Sequence, residues 1–180
     1  MCQAACTMKL DDNDFELFGL PQRFAIDRTD LDERWRSLQG SAHPDRFAAE
    51  GAAAQRLAMQ WSVRINEAYR RLREPLTRAA YLCELRGAPI AATSNTAMPG
   101  DFLMQQMAWR EALEEADGET ALVALDREVR AAEADLLAQL AALLDGGCAA
   151  PALAANRVRA LMFIQRFRVD LTERLDAQEN

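Results

Sequence analysis

Between about Ala49 and Arg73 the apolar residues Leu57, Trp61, Ile65, Ala68 and Leu72 recur at steps of four, four, three and four. That spacing predicts a long helix with one continuous apolar stripe. Its polar side carries Arg56, Arg64, Arg70 and Arg71, read as a solvated face. Upstream, Leu31, Trp35 and Leu38 fall at i, i+4 and i+7 and predict a helix from Leu31 to Gln39, capped by Asp27 or Thr29. Gly40 and Ser41 are expected to weaken its last turn, and Pro44 to stop it. Before it, Asp14 is placed to cap a short helix carrying Phe15, Leu17 and Phe18, which Gly19 and Pro21 end. Pro75 opens a fourth helix, Leu76 to Leu85. Residues 14–86 thus predict a small bundle with a core of Phe15, Phe18, Leu31, Trp35, Leu38, Trp61, Ile65 and Leu72.

Gly87 to Gly100 breaks the pattern with Pro89, Pro99 and a Thr-Ser-Asn-Thr run, and reads as a linker. Three helical patterns follow. Asp101 to Ala116 is the first. Glu119 to Leu144 carries Leu122, Leu125, Val129, Ala132, Leu136, Leu140 and Leu143, and a third runs after Gly146, Gly147 and Pro151 to about Ala177. Long amphipathic helices joined by short glycine-bearing turns predict an antiparallel three-helix bundle over 101–177.

Composition narrows the function. The chain has 180 residues, half of them hydrophobic, which is enough to bury a core and argues against global disorder. A net charge of −7 argues against general nucleic-acid binding. The charge is unevenly placed: Leu20 to Arg86 holds 12 arginines against 9 acids, whereas Gly87 to Asn180 holds 8 basic and 15 acidic residues. Halves of opposite sign point to two modules with different partners. Cys2, Cys6, Cys83 and Cys148 fit neither a disulfide framework nor a zinc site, so no metal and no cofactor are expected. Residues 1–13 are polar and patternless and read as a disordered tail without a signal core. The longest apolar run, Leu136 to Leu144, is too short to span a bilayer. A cytoplasmic protein with no membrane partner is expected, consistent with free cysteines.

The one histidine lies in Ala42-His43-Pro44-Asp45-Arg46-Phe47, between two helical patterns. A catalytic His43 would need a nucleophile or an orienting acid, and Asp45 is near in sequence. The loop offers no recognisable nucleophile, phosphate cradle or metal pattern. Pro44 instead fixes the backbone so that His43 and Asp45 lose little entropy on docking to a partner. Arg34, Arg36 and Arg46 supply positive potential for steering towards an acidic surface, unless they form an ordinary solvated face.

Alone, His-Pro-Asp is weakly specific. In order along the chain, Asp14-Phe15-Glu16-Leu17-Phe18-Gly19-Leu20, an arginine-bearing helix, His43-Pro44-Asp45-Arg46-Phe47, Ile65-Asn66-Glu67-Ala68-Tyr69-Arg70-Arg71-Leu72 and Pro75-Leu76-Thr77-Arg78-Ala79-Ala80-Tyr81-Leu82 together resemble the J-domain family. The resemblance implies a co-chaperone that stimulates ATP hydrolysis by a DnaK-type chaperone. Chaperone contacts then fall to His43, Pro44, Asp45, Arg34, Arg36 and Arg46. The family usually has an aromatic before the histidine and more basic residues at the end of the second helix. Here Gly40, Ser41 and Ala42 stand there.

In Asp101 to Ala116 the side chains of Phe102, Gln106, Trp109, Leu113 and Ala116 share one core face. Leu103, Met104 and Met107 lie away from it beside Arg110, Glu111, Glu114 and Glu115. Apolar residues ringed by charge, methionines among them, make a surface that takes a partner, or else pack against the first module. In the last pattern Leu161, Ile164, Leu171 and Leu175 form a core stripe, with Phe163 on its flank, where it completes the same patch or covers a bundle seam.

Phe102-Leu103-Met104-Gln105-Gln106-Met107 followed by Arg110-Glu111-Ala112-Leu113-Glu114-Glu115 resembles the start of the C-terminal bundle of the HscB family, the iron–sulfur co-chaperones. The resemblance implies an all-α protein, an N-terminal J-domain helical hairpin joined to a C-terminal antiparallel three-helix bundle. It implies an HscA-like chaperone and an IscU-like iron–sulfur scaffold as partners, and no catalysis of its own. Scaffold contacts carry over to Leu103, Met104, Met107, Arg110, Glu111, Glu115 and Phe163, while Ala108 stands where an acidic residue is common. Two other readings stay open: a general J-domain co-chaperone whose bundle binds unfolded clients, and an enzyme using His43 as base.

Overall fold

A computed structural model of the chain describes residues 11–90, 100–146 and 150–178. Most of the expected tail, the middle of the expected linker, and Cys2, Cys6 and Cys148 lie outside the described residues. Among the described residues seven α-helices run in order: α1 (Asp14–Leu17), α2 (Arg28–Ser41), α3 (Ala52–Arg73), α4 (Pro75–Leu85), α5 (Gly100–Glu115), α6 (Glu119–Asp145) and α7 (Pro151–Asp176). A 3₁₀ turn, Pro44–Glu50, separates α2 from α3. Among the described residues there is no strand, and no helix is long and apolar enough to cross a membrane. Packing divides the chain into two compact units inside α4, up to Arg78 and from Ala79 onward. The sequence pattern alone puts the end of the first module at residue 86.

In the first unit α1 and α2 pack on α3. Phe15, Leu31, Ile65, Ala68 and Leu72 are fully buried, with Phe18 and Phe24 nearly so. The predicted cap of α1 is corrected. Asn13 accepts the backbone N–H groups of Phe15 and Glu16, and Glu16 returns the bond to the Asn13 N–H, a complete capping box. Asp14 is wholly buried, ion-paired to Arg64 at 2.7 Å and Arg71 at 2.9 Å. Those two arginines therefore do not form a merely solvated face. Arg64 also donates to the carbonyl of Asp12 at 2.8 Å, so the chain is already anchored two residues before α1. Gly19 ends α1 at φ +61, and an added Cβ there would stand 3.2 Å from the Arg34 guanidinium, so the turn suits glycine alone.

Asp27 caps α2 as predicted, but the helix runs through Gly40 and Ser41. The stripe of α3 is less buried towards its start than its spacing predicts. Trp35, Leu38 and Trp61 are half-buried, and Leu57 is 48% exposed. The reason is local. Pro44–Glu50 packs on α3 as a short 3₁₀ turn rather than as the first turns of a helix, and the small Ala42 is among the residues beside the space it leaves. An apolar hollow of about 310 Å³ remains, lined by Ala42, Phe47, Leu57, Ala58 and Trp61 among others.

In the second unit α5, α6 and α7 enclose a core of Trp109, Leu122, Leu125, Val129, Leu136, Ala160, Ile164, Phe167 and Leu171. Leu140, Leu144 and Leu161 are also buried, and Leu144 rather than Leu143 closes the α6 stripe. The latter part of α4 joins this unit: Leu82 and Cys83 are fully buried, and Arg86 donates to the Leu144 carbonyl at 2.6 Å. Arg159, nearly buried on α7, donates to the Ile90 carbonyl at 2.9 Å and to Asn156.

Candidate functional site

The His43 loop is built by the sequence around it. A residue before proline is pushed out of the helical region, and His43 lies at φ −67, ψ 127. Its Nδ1 accepts the Asp45 backbone N–H at 3.3 Å, capping the 3₁₀ turn that Pro44 begins. A ring nitrogen that accepts carries no proton, so in the neutral imidazole Nε2 is the N–H. The Asp45 carboxylate stands 3.6 Å from Nδ1. Both side chains are exposed, 57% and 90%. Ser41, the nearest hydroxyl in sequence, donates to the Leu38 carbonyl at 2.8 Å instead of meeting the ring. The arrangement presents a rigid polar corner to solvent.

The three expected arginines do not share one role. Arg46 donates to the Gly40 carbonyl at 3.1 Å, satisfying one of the carbonyls orphaned at the end of α2 and bracing the loop. Arg36 is exposed on α2. Arg34 is held by Asp30 at 2.7 Å and donates to the carbonyls of Phe18 and Gly19 at 3.0 and 3.1 Å. Its charge therefore also fastens α2 to the end of α1.

On α5 the division into two faces is as the spacing predicts. Trp109 and Gln106 are buried, and Phe102, Leu113 and Ala116 are partly buried. Leu103, Met104 and Met107 are 51%, 71% and 65% exposed, with Arg110, Glu111 and Glu115 exposed beside them. Phe163 is half-buried and meets Phe102 edge-on at 5.9 Å while stacking on Phe167 at 5.9 Å. It covers the seam between α5 and α7, and it also carries the Arg110 guanidinium 5.6 Å above its ring. From the other side, Glu128 of α6 accepts the Trp109 indole N–H at 2.8 Å and the Gln105 amide at 3.0 Å. Aromatic packing and one shared carboxylate oxygen thus fix the rotation of α5. Among the described residues no three His, Cys, Asp or Glu side chains cluster as a metal site would require.

Known proteins show the same arrangement. The profile of the HSCB C-terminal oligomerisation domain matches residues 98–172. A co-chaperone protein HscB homolog from Cupriavidus taiwanensis is 50% identical over 175 residues, 96% of this chain and 98% of that protein. The chain belongs to the HscB co-chaperone family. The solved chaperone HscB from Vibrio cholerae superposes with a TM-score of 0.78 at 39% identity, covering 94% of this chain and 100% of that one. Human co-chaperone HscB, at 23% identity, shares the fold with a TM-score of 0.83 over 90% of this chain and 81% of that chain. As in other HscB proteins, an N-terminal J-domain precedes a C-terminal helical bundle.

Some parts of this HscB chain escape a reading of the pattern. The Asp14 cluster joins residues some fifty positions apart and leaves no local signal. Glu128 sits on an exposed helix face and is indistinguishable from its acidic neighbours. Phe167 is missing from the expected stripe, although its place three residues after Ile164 and four before Leu171 is the spacing that would have found it.

Proposed function

We propose that this protein couples an HscA-like DnaK-type chaperone to an IscU-like iron–sulfur scaffold in the cytoplasm, within iron–sulfur cluster assembly and transfer. The J-domain, over about residues 14–86, engages the chaperone through His43, Pro44 and Asp45 and raises its rate of ATP hydrolysis, with Arg36 and Arg46 adding steering charge. Arg34 belongs to the same face and also sets the seat of α2. The bundle, over about 101–177, holds the scaffold through Leu103, Met104 and Met107, flanked by Arg110, Glu111 and Glu115 and backed by Phe163. The ATPase chemistry resides in the partner, and the cluster is cargo on the scaffold.

One observation carries the reading. A helix whose inner face is filled by Phe102 and Trp109 exposes three apolar residues within little more than one turn of its outer face, in a chain that also presents His43-Pro44-Asp45. Such a patch loses free energy in water and gains it against a complementary surface. Arg110, already held over Phe163, has less conformational freedom to lose on binding.

The test is calorimetric titration of the scaffold against the wild type and against Leu103→Ala/Met104→Ala/Met107→Ala. Buried interface side chains of this size cost about 1–2 kcal/mol each on truncation, so a loss of affinity of at least about a hundredfold is expected. Unchanged affinity would sink the patch, and suppression of client aggregation that survives the triple substitution would favour the general holdase.

A further inference from the structure

Beyond Leu31, no side chain of α2 is buried, yet the helix must deliver His43 to a defined place. Three hydrogen-bonded rungs to α3 hold it instead. Tyr69 donates to Asp32 at 2.9 Å, Trp35 donates to Asn66 at 3.1 Å, and Gln39 donates to the Ser62 carbonyl at 3.3 Å. Stepping three and then four residues along α2 matches stepping three and then four back along α3. The rungs therefore occupy successive turns of an antiparallel pair in a single register. Trp35 and Tyr69 stack at 4.7 Å between the first two rungs.

The last rung differs from the others because it reaches the loop. The Ser62 hydroxyl lies 3.5 Å from the Gln39 side-chain oxygen and 3.5 Å from the carbonyl of Ala42, the residue before His43. One hydroxyl proton serves one of these two acceptors at a time, so from a single position Ser62 links α3 either to the end of α2 or to the first peptide of the loop. Arg46 closes the same corner from the other side, on Gly40.

We infer that Ser62 is a positioning residue of the His43 loop: it acts through the Ala42 carbonyl and Gln39, and fixes where α3 lets His43, Pro44 and Asp45 stand. The functional side of this inference rests on the chaperone-stimulating role proposed above.

The experiment compares Ser62→Ala and Ser62→Thr with the wild-type full chain by amide NMR and by stimulation of an HscA-like chaperone. Threonine keeps the hydroxyl and serves as the rescue. In Ser62→Ala the amides of Ala42, His43, Asp45 and Arg46 shift and exchange faster by about two- to fivefold, the size expected of one hydrogen bond. Those of Asp32 and Tyr69, two rungs away, stay in place. Maximal stimulation falls by a similar factor, while the concentration giving half the effect is unchanged, and Ser62→Thr restores both readouts. Loop amides that superimpose on the wild type would overturn the inference, as would a displaced loop with full stimulation. A wild-type chain that stimulates nothing would sink the parent reading, and the spectra would still decide whether Ser62 sets the loop.

Discussion

Cys83 shows what burial does to a single group. Its side chain is fully buried, and loss of hydration pushes the thiol up from 9.0 to about 11, against a smaller opposite pull from Arg86 and Arg159. At neutral pH the thiolate is scarce and inaccessible, so the residue behaves as a small hydrophobe. The folded thiol titrates above the unfolded one, so between those values the folded state keeps a proton that the unfolded state has lost. Stability contributed this way is complete below about pH 9 and is lost as pH rises through about 11. Tyr69 is also raised, by burial and then by its bond to Asp32, and acts in the same direction. Two outcomes are expected. Mass-spectrometric mapping at pH 8 finds Cys83 unalkylated until the chain unfolds, and Cys83→Ala makes the decline of Tm between pH 9 and 11 shallower. Rapid alkylation of the folded chain would contradict the burial argument.

At the scale of elements, α1 has four residues and no stability of its own. It persists because Phe15, Leu17 and Phe18 are buried and because Asp14 meets two arginines of α3. Asp14→Ala removes the acceptor and leaves Arg64 and Arg71 facing an apolar seat. The expected cost is about 2–3 kcal/mol, below the full value for a buried pair because both arginines are partly solvated. Urea unfolding followed by tryptophan fluorescence checks it, and an unchanged midpoint would deny the cluster its role. The helices themselves were legible because an apolar stripe at helical spacing is a local property. Spacing places α3, α5, α6 and α7 within a residue or a few of their observed bounds. It misplaced Asp14, whose partners come from a distant turn, and it overstated Leu57, because a stripe predicts an inward face without saying what covers it. Ala42 lines the hollow that leaves Leu57 exposed.

For the whole molecule, the unequal charge of the two halves and the break after Gly87 announced two modules. The packing divides the chain into two units within α4, up to Arg78 and from Ala79, rather than at the linker. The outward face of α5 was readable because methionine and leucine at Leu103, Met104 and Met107 stand off the core side of a regular helix. How α5 is held, through Glu128 and the ring contacts with Phe163 and Phe167, required the structure. The two proposed surfaces lie on different units, so a substitution in one should leave binding at the other intact. The most direct measurement is the ATPase rate of an HscA-like chaperone with scaffold present, with wild type and with His43→Gln. Wild type is expected to accelerate turnover, and His43→Gln to abolish the acceleration while binding scaffold with wild-type affinity. Stimulation that persists in His43→Gln would contradict the proposed role of the loop.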